Sequence, residues 1–160
     1  MIGFCFADKP VVGYDPTMLT DEWDRVASII CDRKEFKVIK VIFETQSLVG
    51  RATHVWEVKF EEKKYILKDV WVEVLRQVLE YALLASLQGM EGVPQFFCGN
   101  DVYISDVVLS TGLIWHGLWG NTMRVWVWRR VVSSSIGAHI ASFCSKRELI
   151  SAFRNIASSM

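Results

Sequence analysis

The sequence has no surplus of either charge. Eighteen lysines and arginines stand against 18 aspartates and glutamates, so the formal net charge is zero. That balance gives no reason to expect nucleic acid or an anionic membrane as a partner. A pI near 6.8 points only to low solubility close to neutral pH. Cysteine is sparse and scattered. Cys5, Cys31, Cys98 and Cys144 form no CxxC and no pairing rhythm. A disulfide framework and a zinc cluster are therefore disfavoured, and reduced thiols in an intracellular protein are the expectation. No run suits a membrane span. The longest uncharged stretch, 107–123, holds three glycines, His116 and Asn121. The short apolar N-terminus has no basic flank and meets Asp8 at once, which excludes a signal peptide. These absences lead to a cytoplasmic or nuclear protein, with no membrane and no nucleic acid as partner. Repeats and low-complexity segments are also missing.

Apolar side chains are abundant. Hydrophobic residues make up 51% of the 160, with seven tryptophans and nine phenylalanines. Such a chain packs very fully or leaves an apolar face for a partner. Pro10, Gly13 and Pro16 mark residues 1–19 as irregular. Thr20-Asp21-Glu22 has the look of a helix start, with Trp23, Val26, Ala27 and Ile30 on one face. From Phe36 to Phe43 β-branched residues predict a strand. Trp56, Val58 and Phe60 alternate with Glu57 and Lys59, and Tyr65 to Lys68 follows after the charged turn Glu61–Lys64, which predicts an antiparallel hairpin. The spacing of Leu75, Val78, Leu79, Ala82, Leu83 and Leu87 predicts a long helix over 72–88, stopped by Gly89. Strands are expected at 93–97, 102–109 and 124–132. Two short helices are expected at 137–143 and 146–160.

A lysine ending a strand, Lys68, precedes a helix holding Glu80. A strand–loop–strand with Gly50 and Ala52 lies before both. Triphosphates carry several negative charges, so a cation held on a rigid strand and steadied by a helix carboxylate suits them. The loop must bring backbone N–H groups close, which favours small residues. Glu73 is a rival partner for the lysine; Glu80 is preferred for its Leu83-Leu84 sequel. His54, His116 and His139 have no ligand spacing, and no metal site is expected.

These segments resemble the fungal-type protein kinase family. The carrying residues are Gly50-Arg51-Ala52-Thr53, Ile66-Leu67-Lys68-Asp69, Glu80 through Leu84, Gly92-Val93-Pro94, Arg130-Val131-Val132 with Gly137 to Phe143, and Ser145 to Leu149. Together they span roughly residues 48–160. The resemblance implies an α+β kinase-like N-lobe. It would have an antiparallel sheet of about five strands, one long helix and the first helices leading into a missing C-lobe. Residues 1–35 would be an N-terminal extension with a helix, 36–132 the lobe, and 133–160 the hinge and first C-lobe helices. It further implies ATP binding. Lys68 would reach the α/β-phosphates, Glu80 would pair with it, Gly50 and Ala52 would shape the loop, and Val132, Ser133 and Ser134 would meet adenine. Ala52 stands where the family tends to have a second glycine.

The parent activity would be Ser/Thr phosphorylation with MgATP. The 160 residues contain no His-Arg-Asp segment and no metal-binding Asp motif, so no catalytic residue is assigned. Mg²⁺ would bind only with residues of the missing lobe. The expectation is a truncated kinase that at best binds ATP. The alternative is a non-catalytic, pseudokinase-like fragment that meets a protein partner, or itself, through an apolar face at Ile150, Phe153 and Ile156.

Overall fold

Left-handed turn residues organise the sheet. The computed structural model describes residues 14–45, 52–75, 79–89, 93–104, 106–114, 125–134 and 150. Asp32 and Arg33 (φ 49° and 61°) reverse the chain between β2 (Val26–Cys31) and β3 (Lys34–Glu44). Glu61 and Glu62 (φ 45° and 65°) do the same between β4 (His54–Phe60) and β5 (Lys63–Glu73). Two consecutive residues in this region twist a tight hairpin the way its strands twist. The β4–β5 hairpin keeps unbroken register from His54–Asp69 to Phe60–Lys63, around the charged turn that the sequence marks.

The remaining strands are β1 (Met18–Thr20), β6 (Phe96–Asp101), β7 (Tyr103–Ile104), β8 (Val107–Val108) and β9 (Trp126–Ser133). Seven strands form one sheet in the order β1-β2-β3-β4-β5-β9-β6, antiparallel at every pairing. β7 and β8 pair as a small separate hairpin. The large sheet curls until β2 meets β6, where Cys31 Sγ lies 3.3 Å from Asn100 Oδ1. Its inner face is lined by Ile29, Phe36, Trp56, Val58, Leu67 and Val132, all buried. A second cluster of Val102, Leu109 and Trp128 closes one end. Each fully buried large side chain there contributes about 1.5–3 kcal/mol.

A charged cluster around Arg130 sits inside this apolar interior. Arg130 is 1% exposed and uses its whole guanidinium. Nε and Nη2 donate to the two Asp69 oxygens at 2.8 and 2.7 Å. Nη2 also donates to Asp15 Oδ2, and Nη1 donates to Thr17 Oγ1 and the Ile30 carbonyl. Burial disfavours the charge, but Asp69 and Asp15 outweigh that and raise the Arg130 pKa.

The fold differs from the expected five strands and one long helix. It is mostly β: seven strands in the main sheet and, among the described residues, two short helices, α1 (Glu80–Ser86) and α2 (Thr111–Ile114). The helix expected from Thr20 is a turn between two strands. Asp21 Oδ1 accepts the N–H groups of Trp23 and Arg25, and Asp24 takes φ 57°, which a right-handed helix cannot include. The long helix loses its start. Val72 and Glu73 stay in β5, paired with Val127 and Trp126, and Val74 N–H still donates to the Val125 carbonyl. Ladder pairing with a Trp- and Val-rich strand overrides the helical spacing. Gly89 does end the helical turns, at φ 85°. The two C-terminal helices expected at 137–143 and 146–160 lie outside the described residues, apart from the single helical residue Ile150.

Candidate functional site

Side chains alternate along β5, so Leu67 and Asp69 enter the interior and Lys68 stands on the outer face. The register places Lys68 in a row that crosses the sheet: Phe43, Val55, Lys68, Val131, Gly99. Directly opposed residues of antiparallel strands share a face. Phe43 is exposed and Val55 half-buried, so an apolar shelf lies beside the lysine.

Gly99 ends the row beneath α1. A Cβ there would sit 2.9 Å from the Arg130 carbonyl oxygen and 3.2 Å from Tyr81 Cβ. The glycine thus lets the helix come down onto the sheet. Glu80, the first residue of α1, is brought over Lys68. Lys68 Nζ lies 2.8 Å from both carboxylate oxygens. The carboxylate also stands in the first turn, where the helix dipole favours it, and the N-cap residue Leu79 supplies no side-chain cap. Glu73 cannot compete for the lysine. It is five residues along the same strand and so on the other face.

At the open end of the row, Thr45 N–H donates to the Thr53 carbonyl and closes the base of the loop between β3 and β4. Ala52 takes φ 36°, a left-handed conformation natural to glycine. Gly50 lies outside the described residues. Val132 and Ser133 are flanked on both sides, by Leu67 and Ile66 of β5 and by Cys98 and Phe96 of β6. Ser134 donates its N–H to the Gln95 carbonyl. The Ser134 N–H is thereby already engaged.

Lys68 and Glu80 are together, and Val132 follows directly on Val131, the ladder partner of Lys68. Phe43, Val55 and Gly99 were not singled out from the sequence. The alternation of β4 around Trp56 could have flagged Val55, but only the register reveals Gly99. A second cation shares this face: Arg129 pairs with Asp101 (Nε to Oδ1, 2.6 Å), and its Nη1 is buried without a hydrogen-bond partner among the described residues. A hollow of about 350 Å³ lies elsewhere, between Tyr14, His54, Trp71 and Trp128, and Lys68 does not line it. Among the described residues no group of three His, Cys, Asp or Glu is placed to hold a metal, and no helix is long and apolar enough to cross a membrane.

A family model described as fungal protein kinase matches residues 1–125. The matched span includes β1 and β2, Lys68 and Glu80, and stops just before β9. No curated protein and no solved structure matches the chain.

Proposed function

Because the chain belongs to the fungal protein kinase family, we propose that Lys68 and Glu80 are the phosphate-anchoring pair of an ATP site on the outer face of the sheet. The supporting observation is the two-point ion pair, 2.8 Å to each carboxylate oxygen, beside an apolar shelf. A lysine held still by a carboxylate keeps its aim, and it has donors left for a phosphate oxygen. Phe43 and Val55 offer adenine an apolar surface. By the family resemblance, Gly50 and Ala52 would shape the phosphate loop. The backbone of Val132 to Ser134, which follows the ladder partner of Lys68, would meet the adenine edge.

When bound, MgATP supplies the phosphoryl group. With no His-Arg-Asp segment in these 160 residues, the chain on its own binds nucleotide without transferring phosphate.

Titration calorimetry with MgATP tests this. Saturable binding is expected, weakened at least about tenfold in Lys68→Ala, the scale of one lost charge-assisted contact. Equal binding by Lys68→Ala would overturn the assignment.

A second reading has its own observation. Ile39, Val41, Ile42 and Phe43 stand exposed along β3, which suits a non-catalytic fragment that meets a protein partner. Of the face first expected to do so, Ile150 is exposed and Phe153 and Ile156 lie outside the described residues. A folded chain that ignores MgATP would favour this reading.

A further inference from the structure

Two buried thiols meet where the sheet curls closed. Cys31 on β2 and Cys98 on β6 are 1% and 5% exposed, and their sulfurs lie 3.6 Å apart. β2 and β6 are not ladder neighbours. The thiols form a short chain: Cys98 S–H points to Cys31 Sγ, and Cys31 S–H points to Asn100 Oδ1. Nothing in the nucleotide site uses them.

We propose that Cys31 and Cys98 are an oxidative modification site, at which a hydroperoxide converts the pair into a disulfide joining β2 to β6. The sulfurs need only close by about 1.5 Å to reach bonding distance. The surroundings assign the roles. When Cys98 ionises, the Cys31 S–H can turn from Asn100 to the thiolate; that hydrogen bond lowers the Cys98 pKa, and the nearby Lys34 ammonium acts in the same direction. The same hydrogen bond, and then burial, raise that of Cys31. Cys98 is therefore the thiolate that reacts first, with Cys31 keeping the proton.

The chemistry closes without a further reactant. The Cys98 thiolate attacks one peroxide oxygen, the O–O bond breaks and hydroxide departs, leaving a sulfenic acid. The Cys31 sulfur then attacks the Cys98 sulfur and the S–O bond breaks. The Cys31 proton and the one released at Cys98 leave with the two oxygens as water. Two thiols and one hydrogen peroxide give one disulfide and two waters.

The test uses the full chain in its folded state. Reduced protein is treated with hydrogen peroxide, its remaining thiols are alkylated under denaturing conditions, and it is digested without reductant. The expected product is a peptide pair linked through Cys31 and Cys98, separated again by dithiothreitol, with Cys5 and Cys144 alkylated. Cys98→Ser should abolish the link. Cys31→Ser should leave Cys98 as a sulfenic or sulfinic acid. Wild type alone decides the matter if either variant fails to fold. A link through Cys5 or Cys144, or Cys98 over-oxidised while Cys31 stays alkylatable, would overturn the proposal.

Discussion

Lys68 and Asp69 are neighbours in sequence and opposites in setting. Lys68 pairs with Glu80 on the outer face, where the two side chains are 35% and 44% exposed. Asp69 pairs with Arg130 in the interior, at 0% and 1%. Both pairs are short and two-pronged, so distance alone does not separate them. Water does. The outer pair keeps much of its hydration, and its attraction is screened. The inner pair has lost its hydration and depends on every remaining partner being present. The outer pair can therefore be spent on a ligand, and the inner one holds the sheet together.

Removing the inner cation should have the largest effect. Arg130→Met leaves Asp69 and Asp15 buried without a counter-charge and should cost about 3–5 kcal/mol, read by urea unfolding. Replacing Arg130, Asp69 and Asp15 together with apolar residues should recover most of that. If the triple variant is as weak as the single one, the interior charges matter for more than mutual compensation. Gly99→Ala comes next. The new methyl meets the Arg130 carbonyl and Tyr81, and the overpacking should cost about 1–3 kcal/mol. Lys68→Ala should change stability by less than about 1 kcal/mol while weakening MgATP binding. A loss comparable with that of Arg130→Met would erase the distinction drawn between the two faces.

The smallest effect concerns Glu57, also on the outer face. Hydrogen bonds from Lys64, then from Lys40, lower its carboxyl pKa below the usual glutamate value. A carboxylate lowered on folding contributes stability at pH above its unfolded value and loses it as pH falls through the folded one. An NMR titration should find the Glu57 midpoint below that of an ordinary glutamate. The added stability should vanish under acid and be small throughout. A midpoint at or above the ordinary value would show that the two lysines do not hold Glu57 in solution.

Local signals carried part of this design. The charged turn at Glu61–Glu62, the strand from Phe36 and the pairing of alternating segments around them were readable because each depends on residues close in sequence. Lys68 with Glu80 was readable through the kinase resemblance, at a separation of only 12 residues. The failures have two causes. In Trp23, Val26, Ala27 and Ile30 the helical spacing is met by residues that a turn and a strand share, and the Asp21 side chain decides for the turn. At Val72 the pattern is overruled by β9, more than 50 positions away. Arg130 with Asp69 and Asp15 spans 61 and 115 positions, and no local pattern announces it.

The missing side chain at Gly99 acts as a spacer of zero thickness. It fixes the stand-off between helix and sheet, so the reach of a carboxylate is decided on a strand that carries neither charge of the pair. A related chain could keep both the lysine and the glutamate, carry a bulkier residue at this place, and hold the two charges out of register. For this architecture the uncharged position belongs in the signature alongside the charged ones, and a comparison that counts only lysine and glutamate would credit such chains with a grip they do not have.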